Sequence, residues 1–182
     1  LFFYYLIVIG TVLLTFTPFL SLAFFNNFLE TTVLWFQDFE FNASIYYIIR
    51  WIGFKVVGWN MIAIIGKILS LIIVIFILIF TFFRKNKSIQ QLITTLLFGI
   101  SAYYILSTTI HPWYIASPLL LSVFTKYKFP IVWSFVVVLS YSAYSNEVFS
   151  ENLWLVTLEY FIMFSFFIWE LLKCKNKSIK FH

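Results

Sequence analysis

Arg50 stands among Tyr46, Tyr47 and Trp51. A planar guanidinium with five donors suits bidentate phosphate binding, and aromatic neighbours of this kind mark the depth of lipid headgroups, where a lipid-linked phosphate would lie. The other reading is a side chain that snorkels to the bilayer surface. His111-Pro112-Trp113-Tyr114 is the second constellation. Pro112 suits the first turn of a helix, where its missing N–H costs nothing, so His111 is expected at the mouth of that helix. An imidazole there could meet an anionic phosphate with help from the helix N-terminus, while Trp113 and Tyr114 offer flat faces to a sugar or lipid. The other reading is an aromatic belt that happens to contain a His. Lys67 and Glu159 fall inside apolar runs, where ionisable groups are costly and point to function. Lys67 shares a helical face with Asn60 and Ser70, and either lines a polar cavity or snorkels. Glu159 could pair with Lys67 or with His111, and Glu170 is expected beside Lys173 on its own helix.

The elements that must position these residues are membrane helices. The 182-residue chain is 63% hydrophobic, 24% aromatic and only 10% charged, with mean hydropathy +0.98. A soluble domain carries roughly a quarter charged residues, so a soluble globular, disordered or fibrous chain is excluded. A bilayer core about 30 Å thick takes about 20 apolar helical residues to cross. The expected fold is an all-α membrane protein, one transmembrane domain over 1–182, with about six transmembrane helices at 1–23, 59–83, 89–110, 113–124, 130–144 and 153–172. The fourth, at about 12 residues, covers only about 18 Å.

Charge placement supports that count. Arg84, Lys85, Lys87, Lys126, Lys128, Lys173, Lys175, Lys177 and Lys180 fall on one side of the alternating spans, which marks it as cytoplasmic and makes 173–182 a cytoplasmic tail. Glu30, Asp38, Glu40, Glu147 and Glu151 fall on the other, against Arg50 and Lys55. The net charge of +5 is thus a topology signal, and no nucleic-acid partner is expected. Between the first two spans, an exterior loop at 24–58 is far longer than the two to eight residues that usually link packed helices. Two amphipathic helices are expected to lie in the interface there. One covers 28–36, and the other covers 43–54 with Asn42 as its N-cap and a break at Gly53 and Gly58.

Other chemistry is thinly represented. Asn42-Ala43-Ser44 fits a glycosylation sequon, but the cap reading is sufficient for it. A single Cys, Cys174, excludes an internal disulfide. Two His without adjacent carboxylates leave no metal site, and with no Gly-rich phosphate loop or nucleophile elbow, no cofactor is expected.

The run Glu40-Phe41-Asn42-Ala43-Ser44-Ile45-Tyr46-Tyr47-Ile48-Ile49-Arg50-Trp51-Ile52-Gly53, followed after several spans by His111-Pro112-Trp113-Tyr114, resembles the C-terminal half of bacterial integral-membrane mannosyltransferases. These belong to the C superfamily of glycosyltransferases (GT-C fold). The resemblance implies a multi-helix enzyme that moves a sugar from a polyprenyl-phosphate donor to an acceptor at the outer face of the cytoplasmic membrane. Arg50 and His111 would then contact the donor phosphate, and Tyr46, Tyr47, Trp113 and Tyr114 would line the sugar or lipid cavity. The inverting reaction needs a carboxylate base, which the superfamily carries in the exterior loop after the first helix of a longer chain. Asp38 and Glu40 lie in what reads as a later loop, so the catalytic residue is unknown and expected upstream of Leu1, leaving this part inactive alone. The competing class is a non-catalytic membrane subunit or small transporter. A transporter would place polar groups near the midplane on broken helices, whereas here they gather at the exterior face.

Overall fold

The computed structural model describes residues 2–37, 39–145 and 149–179. Asp38, Glu147 and Lys180, counted above in the charge pattern, lie outside the described residues. Among the described residues the chain is helical throughout: α1 Phe2–Phe16, α2 Leu22–Gln37, α3 Ile45–Val57, α4 Ile62–Phe82, α5 Ile89–Leu106, α6 Ala116–Val123, α7 Phe129–Val136 and α8 Leu153–Ile179. Four helical stretches, Phe2–Phe19, Ile62–Phe82, Ile89–Leu106 and Leu153–Cys174, are long and apolar enough to cross a membrane. Pro112–Val123 and Phe129–Ser145 are shorter apolar helices. The stretch 24–58 is itself largely helical, taken up by α2 and α3 with an extended connector between them.

Local sequence explains several boundaries. Ser88 caps α5 by accepting the Gln91 amide at 3.2 Å. Gly58 ends α3 in the left-handed region at φ 85°, a conformation that costs glycine little. Gly53, the other expected break, stays inside that helix. Pro112 opens a 3₁₀ turn, Pro112–Ile115, that leads into α6. Asn42 departs from expectation. α3 starts three residues after it at Ile45, with Ser44 preceding it and making no side-chain cap.

α8 packs along α7, α4 pairs with α5 and α2, and α6 bridges α5 to α7. The main core gathers Leu97, Tyr104, Phe129, Trp133, Tyr160 and Met163. A smaller one joins Ala43 and Tyr46 to Ile65 and Leu69, seating α3 on α4. In lipid the hydrophobic effect adds little between helices, so close packing and interhelical hydrogen bonds hold such a bundle. The carboxylates inside α8 supply those bonds. Glu170 accepts the backbone amides of Lys128 and Phe129 at 2.8–2.9 Å, capping α7 from the neighbouring helix rather than pairing with Lys173. Lys173 instead sits over the Trp169 ring at 4.6 Å. Large apolar side chains are left exposed along α1, α4 and α8, as lipid contact demands and water would not tolerate.

Candidate functional site

The site is built where the connector between α2 and α3 meets the segment before α6. Phe41 and Thr109 form a parallel bridge, with the Phe41 amide on the Thr108 carbonyl at 3.1 Å and the Ile110 amide on the Phe41 carbonyl at 2.8 Å. The Thr109 hydroxyl donates to the Phe39 carbonyl at 3.0 Å. This short ribbon brings residues 39–41 beside His111, although 70 positions separate them in sequence.

Asn42 follows at φ 47°, fully buried. Left-handed backbone is tolerated best by Asn among residues with a side chain. The conformation lets three of its polar groups point to different partners. Its amide N–H donates to Glu151 Oε1 at 2.6 Å, its Nδ2 donates to Glu159 Oε1 at 3.2 Å, and its carbonyl accepts the Tyr160 hydroxyl at 2.7 Å. Asn42 therefore ties the connector to α8 instead of capping α3, and its burial withdraws the sequon from the surface. Glu159 pairs with neither Lys67 nor His111. It accepts from Asn42 and from Trp133 Nε1, the latter also at 3.2 Å.

α3 then presents three side chains within about one turn. The Tyr46 hydroxyl lies 2.5 Å from Glu40 Oε2 and 3.1 Å from Asn60 Oδ1. The Tyr47 hydroxyl donates to Glu151 Oε2. Arg50 forms an ion pair with Glu40 Oε1 and stacks over the Tyr47 ring at 4.4 Å. Burial, and then the neighbouring carboxylates, push both tyrosines up, so they remain phenol donors. Burial also raises the Glu151 carboxyl against the opposing pull of the Tyr47 and Asn42 hydrogen bonds. Burial pushes the His111 imidazole down. His111 is stacked almost parallel to the Trp113 indole, centroids 4.5 Å apart at 3°, and on Phe41 at 5.2 Å. It thus meets the pocket as a ring held by its aromatic neighbours.

Two cavities meet at α3. The first, about 440 Å³, is polar and lined by Glu40, Tyr47, Arg50, His111 and Glu151 together with Phe39, Phe41, Tyr144, Phe149 and Leu153. The second, about 490 Å³, is an apolar groove between α3 and α8, walled by Ile48, Trp51, Phe54, Val156, Phe161 and Phe164 among others. Tyr47, Arg50 and Leu153 line both. Comparison with protein-family models, with curated proteins and with solved structures yields no match for this chain. Its own side chains carry the reading.

Of the residues singled out from sequence, Tyr47, Arg50 and His111 line the polar cavity. Tyr46 is buried behind it, holding Glu40. Trp113 is exposed and backs His111. Tyr114 turns the other way, stacking on Tyr104 and lining a separate cavity of about 270 Å³ with Thr31, Thr32 and Thr108. Lys67 is exposed on α4 and lines neither the polar cavity nor the groove, although Gly66 and Ser70 beside it turn inward. Sequence reasoning missed Glu40 and Glu151 as the partners of Arg50 and Tyr47, and Asn42 as the tie between them. Only the scarcity of carboxylates in this chain pointed toward them. Among the described residues, no group of three or more His, Cys, Asp or Glu could hold a metal ion.

Proposed function

We propose that this chain is the donor-binding part of a membrane hexosyltransferase of GT-C type, a mannosyltransferase using a polyprenyl-phosphate sugar at the outer face of a bacterial cytoplasmic membrane. In this reading 1–182 crosses the bilayer six times, the basic ends lie on the cytoplasmic side, and α2 and α3 belong to the exterior face. One observation carries the proposal: a charged, hydrogen-bonding cavity and an apolar groove share Tyr47, Arg50 and Leu153. A lipid-linked phosphate needs that combination, with a head that must be paired and a tail that must stay out of water.

Arg50 stands at the join. Glu40 engages one terminal nitrogen of a group with five donors, which fixes the guanidinium and leaves donors for a phosphate oxygen. Tyr47 supports it from below through its ring. Glu40 and Glu151 are both occupied in holding Arg50, Tyr46, Tyr47 and the Asn42 amide. Their role here is positioning, and the described residues supply recognition of the donor. His111, stacked on Trp113 and Phe41, offers a flat edge toward the sugar.

The test is transfer of radiolabelled mannose from polyprenyl phosphate in membranes containing the protein. A hydrogen bond to a charged group contributes about 1.5–3 kcal/mol, so Arg50→Ala should lower transfer roughly ten- to a hundredfold. His111→Ala should lower it less, and both variants should insert normally. Unchanged transfer in both would remove the assignment and leave a non-catalytic subunit.

A further inference from the structure

The end of the bundle opposite Arg50 holds a further cavity, of about 440 Å³, lined by Ile77, Phe80 and Thr81 of α4, Thr95, Gly99 and Tyr103 of α5 and their apolar neighbours. Along α5 it runs from Thr95 to Tyr103, about 12 Å at 1.5 Å per residue. That is most of the roughly 15 Å of hydrocarbon in one leaflet. Its lining is mostly apolar, with the Thr81 and Thr95 hydroxyls toward one end and Tyr103 at the other.

The mouth at that end is basic. Arg84 lies over Phe80 and Phe98, with Cζ 5.9 Å and 5.4 Å from the two ring centroids, which holds a guanidinium directly above a groove-lining side chain. The loop that carries it is fastened to the groove. Asn86 Nδ2 donates to the Phe80 carbonyl at 3.1 Å, and Asn86 Oδ1 accepts the Thr95 hydroxyl at 2.6 Å. Lys85 and Lys87 of the same loop are exposed. Among the described residues the single ion pair is Arg50 with Glu40, so none of the described carboxylates pairs with this loop.

We infer that the groove between α4 and α5 is a binding site for an anionic phospholipid of the bilayer, its acyl chain along Gly99 and its headgroup phosphate against Arg84. The charge complementarity selects the occupant. A neutral lipid tail or a neighbouring helix would fill the apolar part equally well but would leave three basic side chains unmatched. Basic pockets between membrane helices recognise headgroups in this way. The site is separate from the Arg50 cavity and does not rest on the transferase reading.

The experiment is lipid retention by the purified protein after exposure to equimolar phosphatidylglycerol and phosphatidylcholine, read by native mass spectrometry. Wild type should retain phosphatidylglycerol about tenfold over phosphatidylcholine. Arg84→Gln should reduce that preference about fivefold, the effect of one basic residue at a membrane surface, and Arg84→Lys should restore much of it. Gly99→Leu should abolish retention of both lipids. A Cβ at Gly99 meets only Phe80 at an ordinary 4.0 Å, so the leucine fits and its branch occupies the tail path. Equal retention of the two lipids by wild type overturns the site. So does undiminished retention in Gly99→Leu, or a cysteine crosslink between two chains through this groove. Arg84→Gln alone decides the headgroup contact should Gly99→Leu not fold.

Discussion

Arg50 and Asn42 show how much can depend on a single side chain in an apolar protein. Asn42 makes three hydrogen bonds into α8 and its surroundings from one strained position. Asn42→Ala keeps the strain and loses the Glu159 donor, whereas Asn42→Gly relieves the backbone and loses only the donor. Thermal unfolding in detergent should therefore rank wild type above Asn42→Gly and Asn42→Gly above Asn42→Ala, with the alanine variant destabilised by about 1–3 kcal/mol. Equal melting of the two variants would show that backbone strain contributes nothing here. At this scale the sequence was readable for Arg50, Tyr47 and His111, because a guanidinium, a phenol and an imidazole are conspicuous among so many aliphatic residues. It was unreadable for Asn42. Its polar triplet before a helix satisfies the rules for a cap, and what overrides them is a carboxylate more than a hundred positions away.

The helices themselves were legible where length and hydropathy settle the matter, as in α4, whose 21 residues carry Lys67 as their one charge. The break expected at Gly58 also held, and Ser88 caps α5. What local patterns could not show is a helix capped from outside. Glu170 has Lys173 three residues away and looks like half of an intrahelical pair. The α7 amides, which no side chain of their own helix caps, draw it away. Glu170→Ala should then unfold with α7 loosened from α8. The expected loss is about 1–2 kcal/mol, together with faster hydrogen exchange at the Lys128 and Phe129 amides. Faster exchange near Lys173 instead would restore the intrahelical pairing.

Across the whole molecule, several of the few charges cluster in two regions. The basic loops gather at one end, where Arg84 overlooks the lipid groove, and Glu40, Arg50 and Glu151 gather around the polar cavity. In the sequence the same residues stand out as basic loops set apart from the acidic ones. The meeting of cavity and groove at Tyr47, Arg50 and Leu153 was not evident there, since it depends on the ribbon between Phe41 and Thr109 and on α8 facing α3 across the groove. The most direct measurement is photolabelling of the membrane-embedded protein with a diazirine-bearing polyprenyl phosphate, followed by peptide mapping. Labels should fall on Ile45–Val57 and on the first half of Leu153–Ile179, and Arg50→Ala should reduce them about tenfold. Labelling spread over the other helices, or undiminished by Arg50→Ala, would contradict a lipid phosphate bound at that join.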